Sequence, residues 1–172
     1  MASRLQISLS VFTLAISPLF LAGACSKNTG RTGTQSTVSS APTPGHFSSS
    51  DVAKLRWIEG SWRGTGVDQA PFYERYHFEN DSTLVVETLD SDKYDKVSDV
   101  SRFTLKDGQF GEENRSAATE IDNDSIIFYS LAKGGNAWRW KRESKDLWEA
   151  IVDWPVGHRV YRMERWTPSK TP

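Results

Sequence analysis

Beyond residue 66 the chain never runs far without a turn. Asn80-Asp81, Asp107-Gly108, Asp122-Asn123-Asp124 and Gly134-Gly135-Asn136 separate stretches in which apolar and polar side chains alternate. Alternation with a period of two marks a half-buried strand, and stretches this short between turn residues do not reach helix length. Strands are predicted at 72–79, 83–89, 97–105, 109–112, 117–121, 125–131, 138–143, 147–154 and 159–166, with a first strand beginning near Glu59. About eight to ten short strands without a second convincing helix is the pattern of an all-β, antiparallel up-and-down barrel or sandwich. Closure is favoured, because an open sheet would leave two unpaired edges.

Register decides which side chains face inward, since a slip of one residue turns every side chain over. A turn at Asn80, Asp81 and Ser82 sets Phe72, Glu74, Tyr76 and Phe78 opposite Leu84, Val86 and Thr88, and pairs Arg75 with Glu87 on the other face. A turn at Ser144, Lys145 and Asp146 gives an inner face of Trp138, Trp140, Arg142, Trp148, Ala150, Val152 and Trp154. Lys141 then pairs with Glu149 outside. The last strand has two solutions. A loop over 155–158 turns Tyr161, Met163 and Arg165 inward but brings Glu149 near Glu164, whereas a shift of one residue turns Arg162 and Glu164 inward. Burial of Tyr161 and Met163 favours the first.

The stretch LRWIEGSWRGTG at 55–66 leads into this set. Ser50 and Asp51 suit a helix N-cap, so a short helical turn is expected before the first strand. Gly60, Gly64 and Gly66 point to close backbone approach or sharp bending in that strand, which a closing barrel needs. A phosphate-cradling loop would need a helix after the glycines, and Val67-Asp68-Gln69-Ala70-Pro71 is loop chemistry instead. A helical turn followed by Gly60-Ser61-Trp62 resembles the opening of the lipocalin-like (calycin) barrels over roughly residues 51–166, and it is similar to the opening of nitrobindin-like haem barrels. The first resemblance implies that a basic residue of the last strand packs across Trp62, either Arg165 or Arg162. The second implies a haem-ligating histidine late in the chain, for which His158 is the candidate.

The N-terminus carries a different signal. Arg4, an apolar run over 5–21 and Leu21-Ala22-Gly23-Ala24-Cys25 resemble a bacterial lipoprotein signal, removed over 1–24. Ala22-x-Ala24 also suits ordinary secretory cleavage. Cys25 is the chain's one cysteine, and its place after the cleavage site resembles a lipidated N-terminus. Ser26 is compatible with sorting to the periplasmic face of an outer membrane. Residues 25–50, rich in Ser, Thr, Gly and Pro, are expected to form a disordered linker to a barrel domain at 51–168.

The chain has 21 Lys and Arg against 22 Asp and Glu, and this balance argues against nucleic acid as a partner. Neither a Gly-x-Ser-x-Gly elbow nor a zinc-spaced His pair occurs, so no enzyme is expected, and no cofactor apart from the haem variant. Small barrels can hold one ligand in an apolar mouth with a few polar groups. Glu74, Thr88, Ser101, Trp138, Trp140 and Arg142 are the inner-face candidates for lining one. Two functions follow: a tethered envelope barrel that binds a small apolar or amphipathic molecule, or a filled barrel that contacts an envelope protein. An open interior favours the first and a packed centre the second.

Overall fold

The computed structural model describes residues 42–93, 95–154 and 157–167. Cys25, with the signal and most of the linker, lies outside the described residues, as does the loop tip at 155–156. Ten antiparallel strands run β1 (Gly60–Gly66), β2 (Gln69–Asn80), β3 (Thr83–Leu89), β4 (Val97–Lys106), β5 (Gln109–Glu112), β6 (Ser116–Ile121), β7 (Ser125–Ser130), β8 (Ala137–Ser144), β9 (Leu147–Trp154) and β10 (Gly157–Arg165). Their order in the sheet is β5-β4-β3-β2-β1-β10-β9-β8-β7-β6. Each strand pairs with its chain neighbour except β5 with β6, and β1 pairs with β10. Among the described residues the break falls between β5 and β6, and the sheet curls into a nearly closed up-and-down barrel.

The central hairpins follow the expected alternation. Glu74 lies opposite Thr88, Arg75 opposite Glu87 and Tyr76 opposite Val86. Trp140 lies opposite Ala150 and Lys141 opposite Glu149. The last hairpin differs in length. Trp154 pairs with Gly157, which places Tyr161 opposite Ala150, Met163 opposite Trp148 and Arg162 opposite Glu149. This register is shifted by two residues from a loop over 155–158. A shift of two keeps Tyr161 and Met163 on the inner face and replaces a carboxylate pair by an ion-compatible one. Pro71 is tolerated inside β2 because the pairing with β1 slips between Gly64 and Gly66, so no ladder bond is asked of it.

The helical lead-in starts earlier than Ser50 and Asp51 imply. Ser48 is the N-cap of α1 (Ser49–Ala53). Its N–H donates to Asp51 Oδ2 at 2.9 Å, and its hydroxyl reaches the same oxygen at 2.7 Å. Asp51 thus serves from the third helical position. A 3₁₀ turn (Lys54–Ile58) continues the lead-in, and Val52, Leu55 and Ile58 are fully buried. These three plug one end of the barrel, and the capping turns fix the angle at which they enter.

The chain is ordered ahead of α1 as well. Gly45 N–H donates to the Ala118 carbonyl of β6 at 2.9 Å, and Phe47 N–H donates to the Gly108 carbonyl of the β4–β5 turn at 2.7 Å. Phe47 packs on the core. This short strap joins the two sides of the β5/β6 break, satisfying backbone groups that the missing ladder would otherwise leave open. Within the break Glu112 N–H donates to Ser116 Oγ at 3.2 Å. A side chain on Gly111 would strike the Ser116 carbonyl, so glycine there allows the close approach.

Candidate functional site

The two ends of the barrel are built differently. At the plugged end Trp62 is buried and its indole N–H donates to the Ile58 carbonyl at 2.7 Å. Arg165 faces it across the β1–β10 pair, with its guanidinium carbon 4.2 Å from the centre of the indole. The same guanidinium donates to the carbonyls of Glu59 (3.1 Å) and Lys145 (3.1 Å) and pairs with Asp146 at 3.3 Å. Gly60, at φ +132°, makes room for it: a side chain there would strike Nη1 of Arg165. Arg162, the alternative partner, is exposed and pairs with Glu164.

The middle of the barrel is filled by rings. Tyr76, Phe103, Phe128, Trp140 and Trp148 are all buried, and their successive centroids lie 5.1–5.9 Å apart, mostly edge to face. Trp140 is thus part of the packed centre and does not line an opening. Arg142 lies toward the plugged end, donating to the Ser144 carbonyl at 3.3 Å and sitting 3.6 Å from Asp124. It does not meet Glu74.

Glu74 marks the edge of the packed region toward the other end. It is 5% exposed, and its carboxylate accepts one hydrogen bond, from the Tyr76 hydroxyl at 2.6 Å. Burial pushes its pKa up from 4.5 to about 7, the Tyr76 bond opposing only part of the shift. Burial, and then the charge of Glu74, holds the Tyr76 phenol well above its ordinary range. No cationic side chain pairs with Glu74 among the described residues. An isolated buried carboxylate costs more than a hydrogen-bonded amide or an apolar residue of similar size, so core packing alone does not account for it.

Beyond Glu74 the inner face loosens. Phe72, Thr88, Ser101, Trp138 and Tyr161 are only half-buried. Phe72 occupies the space a side chain on Gly64 would need, and Tyr161 lies against Gly66. The two rings meet edge to face at 5.8 Å. Two of the glycines in the opening stretch therefore let aromatic rings lie back against β1. Trp138 stacks on Phe128 at 5.3 Å, and its indole N–H has no partner among the described residues. Ser101 donates to Glu112 Oε1 at 3.2 Å.

Glu74, Thr88, Ser101 and Trp138 thus share the unplugged half, while Trp140 forms its floor and Arg142 belongs elsewhere. Phe72 and Tyr161, not among the six sequence candidates, also line it. Strand alternation put both inside, and the signal that they lie at this end was their position beside Gly64 and Gly66.

Two other features lie on the outer surface. His158 is exposed and sits opposite Asp153, off the inner face that carries Tyr161 and Met163. A haem held inside the barrel does not fit a ligand placed there. An open, polar depression of about 430 Å³ is lined by Asp122, Asn123, Asp124, Ser125, Arg139 and Lys141. Its lining side chains are polar or charged, of both signs, and none is aromatic or aliphatic, unlike a small-molecule pocket.

No protein-family model matches the chain, and no curated protein matches it. Among solved structures it is similar to a redesigned β barrel at 13% identity, with a TM-score of 0.34, covering 64% of this chain and 93% of that one. It is also similar to the redesigned β barrel mFAP1, bound to DFHBI, at 14% identity with a TM-score of 0.32, covering 64% and 95% of the two chains.

Proposed function

We propose that this protein is a lipid-anchored barrel of the bacterial cell envelope that takes a small amphipathic molecule into its unplugged end. The observation that carries the binding reading is Glu74, a buried carboxyl with no cationic partner between a packed aromatic floor and a half-buried aromatic rim. Perturbed, buried titratable groups at the bottom of apolar recesses are characteristic of sites that act on or hold a ligand. The filled centre limits such a ligand to the mouth, so a deep cavity of the kind that swallows a long chain is not part of this reading. Anchoring rests on Cys25 and the preceding signal, and two or more acyl chains there would give stable tethering to the periplasmic face of an outer membrane.

The packed centre also favours a second reading, a filled barrel that presents its outer surface to an envelope protein. Native mass spectrometry of the protein purified from its own host separates the two. A retained small molecule, lost on denaturation, supports the first reading, and a ligand-free chain that co-purifies with one protein supports the second. Labelling cells with a clickable fatty acid tests the anchor. The wild type should be marked and Cys25→Ser should not, and equal labelling of both would remove the tether from the proposal.

A further inference from the structure

We propose that the molecule held at the unplugged end is a compact organic cation, an apolar body carrying one protonated amine that meets the carboxylate of Glu74. This rests on the reading of that end as a ligand mouth and adds the charge and size of the ligand.

Three features converge on it. The first is the polar group available. Glu74 is an acceptor, its one bond comes from the Tyr76 hydroxyl at 2.6 Å, and no Lys, Arg or His pairs with it among the described residues. An ionised carboxylate accepts several hydrogen bonds, so capacity for a donor remains. A cation supplies both the missing bonds and the missing charge, whereas an anion would be repelled by Glu74 and a neutral apolar body would leave its capacity unused.

The second feature is the wall. Phe72, Tyr161 and Trp138 offer aromatic surface at the half-buried rim, and Trp140 and Tyr76 close the floor in edge-to-face contact at 5.8 Å. Aromatic faces beside a carboxylate are the recognition chemistry of alkylammonium groups, because ring quadrupole and carboxylate charge attract the same end of the ligand. The third is the space. The rings of Phe72 and Tyr161 lie back over Gly64 and Gly66, and the centre below is filled. A filled centre leaves a ligand only the rim, which favours a compact body over a long chain.

The test compares three probes of matched shape on the purified full-length chain at pH 8, followed by tryptophan fluorescence and calorimetry: cyclohexylammonium, cyclohexanol and cyclohexanecarboxylate. Cyclohexylammonium should bind at least about tenfold more tightly than cyclohexanol, and cyclohexanecarboxylate more weakly than both. In Glu74→Gln, checked for its fold by circular dichroism, the advantage of the cation over cyclohexanol should fall to about twofold or less. If that variant does not fold, the wild-type ranking still decides. Equal binding of cyclohexylammonium and cyclohexanol, or preference for the carboxylate, overturns the cation while leaving a ligand mouth in place. Failure of all three to bind at millimolar concentration, with no molecule retained from the host, overturns the mouth itself.

Discussion

Glu74 makes stability depend on pH in a direction opposite to that of most carboxylates. Its pKa is about 7 in the folded chain, against 4.5 when exposed. Between those values the folded state holds a proton that the unfolded chain releases, so unfolding free energy falls as pH rises. The stabilisation is fully present below about pH 4.5 and is lost as the pH passes through about 7. At about 1.36 kcal/mol per unit, the difference amounts to about 3 kcal/mol, a large part of the stability of a domain this small. Urea unfolding from pH 4 to pH 8.5 should show this decline in the wild type. In Glu74→Gln it should be absent, leaving the variant less sensitive to pH and the more stable protein above pH 7. The difference between the two curves isolates Glu74 from every other ionisable group, because the two proteins share all of them. Asp51 acts in a separate window. The Lys54 ammonium, and then the Ser48 bonds, hold its carboxyl below the usual range, so its contribution is lost only as the pH falls below about 4. Parallel curves for wild type and Glu74→Gln would mean that Glu74 is more solvated in solution than its 5% exposure indicates.

Four further substitutions probe the plugged end and the strap. Trp62→Ala should cost about 3–5 kcal/mol and Arg165→Ala about 2 kcal/mol, with the arginine's cost largely vanishing in the double variant; additive losses in urea unfolding would refute the stacking. Gly60→Ala should destabilise by about 1–3 kcal/mol, since its φ is unfavourable for any side chain and the new methyl displaces the Arg165 guanidinium; unchanged thermal unfolding would count against that crowding. Phe47→Ala should cost about 1–2 kcal/mol and speed amide exchange at the Gly45 and Phe47 N–H groups that cross the β5/β6 break; exchange as slow as in the wild type would show that the strap does not depend on its phenylalanine.

Much of the fold was legible because register propagates. Once Arg75 is set against Glu87, Glu74 and Tyr76 must face inward, and once Trp140 is set against Ala150, so must Trp138 and Trp148. The last hairpin was harder, because loop length and register trade against each other. A loop over 155–158 and the observed tighter one give the same inner face, and only the choice of Arg162 or Glu164 opposite Glu149 separates them. The N-cap was misplaced by two residues because Ser48, Ser50 and Asp51 are all capping residues, and Asp51 serves from the third helical position. The strap at 45–47 leaves no pattern in sequence. Its two backbone bonds are made by Gly45 and Phe47 through groups every residue carries, so composition reads it as linker.

What alternation cannot report is depth along the bore. Trp138 and Trp140 are equivalent by strand parity, yet one lies at the rim and the other in the floor. Arg142, two residues further, has passed the floor and reached the plugged end. A candidate set drawn from one face therefore mixes three levels of the barrel. Depth comes from how the strands tilt and from which end the helical lead-in occupies, and both depend on contacts between residues far apart in the chain. The lead-in fixes one end. Val52, Leu55 and Ile58 fill the end that Trp62 and Arg165 cover, so any opening lies at the other end, where Phe72 and Tyr161 lie against Gly64 and Gly66. Glu74 sits opposite Trp62 on one side and Thr88 on the other, at the boundary between the two regimes. A carboxyl one layer nearer the plug would be sealed among apolar rings, and one layer nearer the rim would be solvated. Only at this level can it be both shielded and within reach of a molecule entering from outside.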